Sequence, residues 1–394
     1  MGSAIPEIDS ILGVFADLLP TSAALHEPEI AGNEWAYVKQ CLDSGWVSSA
    51  GQHIGRFEGA LSDFTGAAHA VATVTGTAAL HTCLMLAGVK ADDEVIVPAL
   101  TFVATTNAVA YMAAHPHFAD SEERTLGLDA AKLEAHLSDI TDVKDGACIN
   151  RLTGRRISAA VCMHTFGHPV DLDALAEVCG RFKITLIEDA AESLGSYYKG
   201  RHTGNHGRLA ALSFNGNKVM TTGGGGAVLT NDAELAVAAK HLTTTAKLPH
   251  AFEFIHDRTA YNYRLPNINA ALGLAQMEQL ASKLDRKRTL AASYRDAFRT
   301  VSGLRFFEEP ENCSSNYWLN VLVLDKDRRD VRDDILVAAN AAGFGCRPVW
   351  RPMHMLAPYR DCARMDLSVA EDLYGRIINI PSSPGLAGSP NNGA

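Results

Sequence analysis

Residues 184–195 read ITLIEDAAESLG, and residues 209–232 read LAALSFNGNKVMTTGGGGAVLTND. Each opens with a short apolar run that ends at a polar residue, Asp189 in the first and Ser213 in the second, and a third run, GAVLTN, follows at 226–231. Runs of this length bounded by turn formers are strand signals. Working outward, HAVATV (69–74), DEVIVPA (93–99), HPHFAD (115–120) and ISAAVCMH (157–164) read the same way, which makes seven strands for one broad sheet. Between them, TAALHTCLMLAG and VDLDALAEVCGRFK place apolar residues three and four apart, as half-buried helices do, and the second opens on the first-turn residues Asp171 and Asp173. Strands alternating with such helices predict an α/β fold with a mostly parallel sheet. Ligands of such sheets bind at the carboxyl ends of the parallel strands, so Asp189 and Ser213 are expected to converge there.

At 394 residues the chain exceeds the size of a single growing core, so a second, smaller domain is expected. The organisation predicted is an N-terminal arm over 1–29, a large domain over 30–280, a small C-terminal α/β domain over 281–385 and a disordered tail over 386–394. The charged amphipathic helix at 281–301 leads into the small domain, which would hold a strand at 316–324, a helix at 332–343 and a turn around ARMDLS. With 47% hydrophobic and 20% charged residues the chain has ample material for a core. A net charge of -10 argues against a nucleic-acid surface. The eight cysteines, with no CxxC pair, read as reduced thiols. The opening MGSAIPEIDSILGVFADLLP has acidic residues inside its apolar stretch and reads as an amphipathic lead helix, not as a signal peptide or membrane span. Cytoplasm is the expected compartment.

Four groups in this frame suit a pyridoxal cofactor, which needs a lysine amine, an anion at its pyridine nitrogen, donors for its phosphate and a flat group against its ring. Lys218 supplies the amine and Asp189 the anion. Thr75, Gly76 and Thr77 stand at a strand-to-helix junction, where backbone N–H groups form an anion site. Phe102, just past Pro98, is placed to stack on the ring. The glycines 223–226 do not form a nucleoside-triphosphate loop, since Lys218 precedes them, and no GxGxxG follows the first strand. In HTFGH, His164 and His168 are four apart, but Gly167 and Pro169 exclude the helix that metal ligation at that spacing needs. No metal is expected, and His164 is assigned to the pocket floor, near the substrate.

With TGTAAL, PALTFVATTNA, HTFGHPVDLD, EDAAESLG, SFNGNK, GGGGAVLTND and YNYRLPNINAALG in this order, the chain resembles the DegT/StrS-type sugar aminotransferases over about residues 25–385. The resemblance implies fold type I, a large domain with a seven-stranded sheet, a small C-terminal domain, pyridoxal 5'-phosphate as cofactor, and a homodimer with shared active sites. It places Lys218 at the Schiff-base position, Ser213 and the Gly76–Thr77 backbone at the phosphate, Asp189 at the ring nitrogen, Phe102 on the ring and Glu192 near cofactor and substrate. Asn262 resembles the asparagine that reaches the neighbouring subunit's cofactor phosphate, and Arg264 a residue near the substrate's phosphates. Ala260 departs from the glycine common in relatives before the YN pair.

The stretches LHEPEIAGNEWAYVKQCLDSGWVSSAG, NRLTGRRISAAVCMHTFGHP and NYWLN resemble the subgroup that aminates C-4 of UDP-2-acetamido-2,6-dideoxy-hexos-4-ulose, in legionaminic-acid-like or bacillosamine-like pathways. The reaction this implies moves an amino group from L-glutamate to a nucleotide-linked keto-sugar, with Lys218 shuttling protons in both half-reactions. Three alternatives are a sugar dehydratase and a silent regulator of the same fold, which would lack Lys218 or Asp189, and a nicotinamide oxidoreductase, which would need the missing glycine fingerprint.

Overall fold

In the computed structural model, which describes residues 5–387, the seven runs form one continuous path of strands: His69–Thr73, Gly226–Thr230, Leu209–Ser213, Thr185–Asp189, Arg156–Met163, Glu94–Pro98 and His115–Ala119. Only Gly226–Thr230 runs against its neighbours; the other six strands point the same way. Their central residues are buried on both faces, as the β-branched and alanine-rich runs require of a sheet covered by helices.

The sheet has nine strands, not seven. A hairpin of Thr141–Lys144 and Ala147–Asn150 joins the start of Arg156–Met163 through Cys148 opposite Ile157. Its polar strand, TDVK, hides the alternation. The turn is nevertheless written in the chain: Asp145 and Gly146 both adopt positive φ, 50° and 77°, the geometry that favours Asp-Gly in two-residue hairpins.

Past the sheet, the helix Leu280–Phe298 leads to four antiparallel strands in the order Leu304–Phe306, Asn320–Leu324, Ile377–Ile380 and Arg347–Pro348, covered by the helix Arg332–Ala341. The N-terminal segment does not extend as an arm. Its helix, Pro6–Leu18, buries Ile11 and Phe15 in one apolar cluster with Tyr294, Phe298 and Phe344 of this C-terminal unit. Apolar residues at 11 and 15 lie on one helix face, so the helix needs a partner surface. Leu386 and Ala387 pack at the edge of the same cluster, shortening the expected tail, and residues 388–394 lie outside the described residues.

The strand expected over 316–324 begins only at Asn320. Asn316 Nδ2 donates to the carbonyls of Glu192 and Leu194 at 2.8 and 2.9 Å, and Tyr317 takes a left-handed φ of 45°. Those side-chain bonds hold residues 316–319 as a packed loop against the large sheet. The eight cysteines are all free thiols. Among the described residues no helix is long and apolar enough to cross a membrane, and no cluster of ligating side chains suits a metal ion.

Candidate active site

The carboxyl ends of the central strands open into a cavity of about 320 Å3 lined by Gly76, Thr77, Phe102, Asp189, Glu192, Ser213 and Lys218, with Asn217, Trp318 and Trp350 closing it. Asp189 ends its strand and is 3% exposed. Its Oδ2 accepts from Thr105 Oγ1 at 2.7 Å and its Oδ1 from the Ala191 N–H at 3.2 Å. Burial lifts its carboxyl above the usual range, while those two hydrogen bonds oppose the rise. A cationic ring nitrogen beside it would hold it ionised.

Lys218 follows a tight turn in which its N–H donates to the Asn215 carbonyl. Its Nζ donates to Glu192 Oε1 at 3.0 Å and sits 3.8 Å from the centroid of the Trp318 ring. Burial pushes the Glu192 carboxyl up to about 7, against the pull of Lys218. Glu192 Oε2 accepts the Phe166 N–H at 2.9 Å, and Phe166 reaches that geometry in a left-handed conformation, φ 58° and ψ 17°. The HTFGH stretch therefore turns the chain so that a backbone donor fixes Glu192.

At the start of the helix Gly76–Leu86, Thr75 caps by accepting the Ala78 N–H at 3.0 Å. The first N–H groups of a helix have no partner within it and attract anions. A Cβ on Gly76 would lie 2.8 Å from Ser213 Cβ, and one on Gly226 would lie 2.6 Å from the Gly76 nitrogen and the Thr75 carbonyl. Both glycines are required by close approach, which brings the Ser213 hydroxyl against the helix start. Gly226→Ala is expected to displace that junction, since overpacking of this kind costs about 1–3 kcal/mol; titration of the apoprotein with pyridoxal phosphate should show binding weakened about tenfold or more.

Not every expected residue reaches the cavity. The His164 ring is fully buried on the far side of its strand, Nε2 3.0 Å from Glu188 Oε2 and Nδ1 accepting from the Val170 N–H, so it is not a floor residue. Glu188 and Asp189 are neighbours on a strand and face opposite sides, and His164 follows Glu188. Asn262 is exposed and Arg264 lies 3.5 Å from Glu58; neither lines this chain's cavity. His168 packs edge-on against Phe307 and Tyr317, and burial holds its imidazole down to about 3. Conversely, Thr105, Asn217, Trp318 and Trp350 were not singled out from the sequence. Thr105 lies one helical turn from Phe102 inside VPALTFVATTNAV, a readable signal, but the tryptophans arrive from the C-terminal unit by tertiary packing alone.

This donor set fits pyridoxal phosphate: an amine, a carboxylate, an aromatic face and a crowded helix start where an added Cβ would fill the anion cradle. A profile of the DegT/DnrJ/EryC1/StrS aminotransferase family matches residues 28–391, and the chain belongs to that family. It is a pyridoxal-phosphate-dependent sugar aminotransferase. It is 36% identical to a GDP-perosamine synthase of Caulobacter vibrioides, over 91% of this chain and 92% of the relative. A pyridoxal phosphate-dependent aminotransferase of Bacillus subtilis described as putative, EpsN, is 34% identical over 92% and 91%. Among solved structures, the aminotransferase TlmJ of Streptoalloteichus hindustanus superimposes with a TM-score of 0.83 at 27% identity, covering 93% of this chain and 95% of that one. DesI in the presence of its TDP-sugar product gives 0.81 at 28%, covering 94% and 91%.

Proposed function

We propose that the protein transfers an amino group from L-glutamate to C-4 of a nucleotide-linked 4-keto-6-deoxy sugar, UDP-2-acetamido-2,6-dideoxy-hexos-4-ulose being the acceptor favoured by the sequence. A GDP-linked acceptor is the second reading, favoured by the relatives named GDP-perosamine synthase. The observation that carries the reading is the Lys218 amine, held by Glu192 over the Trp318 ring in the cavity that also contains Asp189.

Lys218, Asp189, Ser213, the Gly76–Thr77 backbone and Phe102 are the residues that would hold the cofactor. When bound, pyridoxal phosphate supplies an electron sink that stabilises negative charge on the carbon losing its proton. Lys218 Nζ removes the α-proton of the donor in the first half-reaction and delivers a proton to sugar C-4 in the second. Glu192 aims that amine, and the Trp318 and Trp350 rings exclude water. A dehydratase or a silent regulator of this fold would not need both Lys218 and Asp189 converging on one cavity.

Purified holoenzyme is expected to show a near-visible absorbance band that L-glutamate bleaches and a keto-sugar nucleotide restores, with UDP-, dTDP- and GDP-linked 4-keto-6-deoxy sugars compared. Absence of bleaching by any amino donor would sink the proposal.

Homodimerisation belongs to the same proposal. Trp35 is 82% exposed, and Phe252 and Phe254, in the connection between Lys247–Leu248 and Ile255–His256, are 92% and 77% exposed. Phe252 and Phe254, two residues apart on one connection, are the part of the surface we assign to the partner. The double variant Phe252→Ser, Phe254→Ser is expected to shift the wild-type dimer towards monomer in sedimentation velocity.

Glu192 also makes a stability prediction. Its carboxyl rises from 4.5 to about 7 on folding, so the folded apoprotein binds more protons than the unfolded chain between those values. Stability contributed by this group therefore falls as pH rises through that window. In urea unfolding, Glu192→Gln apoprotein should gain on wild type from about pH 4.5 to 7, with the difference constant above.

A further inference from the structure

Beside the active cavity lies a second chamber of about 500 Å3, and the two share Asn217, Trp318 and Trp350 in their walls. Its remaining lining is unlike the first. His26, from the segment after the N-terminal helix, lines it, and neither of its ring nitrogens has a hydrogen-bond partner. Asn379, on the strand Ile377–Ile380 and 3% exposed, also lines it, and its Oδ1 is buried without a partner. Buried polar atoms left unpaired are costly and uncommon, and two residues carrying them on one chamber point to a ligand that supplies the missing bonds.

Arg347, paired in register with Asn379, and Arg351 are exposed on the same chamber. Among the described residues neither guanidinium has an ion-pair partner. Two unpaired guanidiniums on one chamber match the charge of a diphosphate, and each has the planar fork of donors that phosphate oxygens accept. Burial and the nearby ammonium groups of Lys287, Lys218 and Lys283 hold the His26 imidazole well below its usual range, hence neutral, with one donor and one acceptor. That is the pairing a sugar hydroxyl or acetamido group requires.

We propose that this chamber seats the acceptor, with His26 and Asn379 bonding the polar substituents of the sugar and Arg347 and Arg351 its diphosphate. The shared tryptophan wall then leads the sugar's keto carbon towards Lys218. The assignment rests on the proposed acceptor class and adds residues that select among its members.

Quenching of the shared tryptophans gives a binding readout that needs no turnover. The probes are UDP-N-acetylglucosamine with UDP, and GDP-mannose with GDP, titrated into holoenzyme. Wild type should bind one of the nucleotide sugars more tightly than its nucleoside diphosphate alone. In His26→Ala that preference should fall about tenfold, as expected for lost hydrogen bonds, with the nucleoside diphosphate changing less than about twofold. Asn379→Ala should act in the same direction, and Asn379→Asp provides a near-isosteric variant should the alanine fail to fold. Arg351→Ala should weaken nucleotide sugar and nucleoside diphosphate alike.

Equal binding of sugar and nucleoside diphosphate by wild type, an unchanged preference in His26→Ala, or undiminished diphosphate binding in Arg351→Ala would each overturn the assignment. Bleaching by glutamate and amination of a keto-sugar report on the proposed activity separately. His26→Ala that aminates with an unchanged KM would leave that activity standing and remove the chamber from it.

Discussion

Lys218→Ala is expected to lower kcat by about 10⁴-fold or more, because in the proposed function this residue is both the covalent anchor and the proton carrier of the two half-reactions. The fold should survive the change. Lys218 is half-buried in a turn, and its amine contacts Glu192 and the cavity side of the Trp318 ring, so its removal leaves the packing of that ring against the core in place. The variant should therefore unfold within a few degrees of wild type, retain pyridoxal phosphate less tightly through the helix start and Asp189, and lose the absorbance band that glutamate bleaches. Absorbance spectra, single-turnover assays with glutamate and a thermal melt together check this. Turnover of many equivalents by Lys218→Ala would show that another group carries the proton.

Asp189→Asn should lower kcat by roughly 10²–10³-fold, the range seen when one preorganised electrostatic partner is lost. The substitution keeps the shape of the site and a partner for Thr105, whose hydroxyl donates to Asp189 Oδ2 at 2.7 Å, but it removes the charge. In the protein the carboxyl is buried with its acidity reduced, so a cationic ring nitrogen is the group that would keep it charged. The rate loss should appear in both half-reactions, since the electron sink serves both, while cofactor affinity falls less. Equal loss of affinity and rate would instead assign Asp189 to cofactor binding alone. The smaller effects expected at Gly226 and Glu192 act on the cradle and on the lysine's orientation, not on the charge itself.

The large sheet was legible because its strands are short apolar runs that stop at polar residues, and a parallel sheet buries both faces of each run. The Thr141–Asn150 hairpin escaped because one of its strands is polar, although Asp145-Gly146 marked the turn. At the site, Lys218, Asp189, Ser213, Gly76 and Phe102 converge because each stands at a strand end or just beyond it, a position that topology alone brings to one edge. His164 stands at a strand end too, yet it turns to Glu188. Alternation along a strand decides which face a side chain takes, and the end of an apolar run does not reveal that parity.

By itself the sequence determined the seven strands on the central path of the large sheet, the residues at their ends and hence the lysine and carboxylate that line the cavity. Those depend on local periodicity and on the rules that connect neighbouring elements. The tertiary structure alone decided that the N-terminal helix belongs to the C-terminal core, that Trp318 lies under Lys218, and that His26, Arg347 and Asn379 meet around a second chamber. Most of these contacts join residues 100 or more positions apart, and they form only once packing has folded the small sheet and its loop onto the large one.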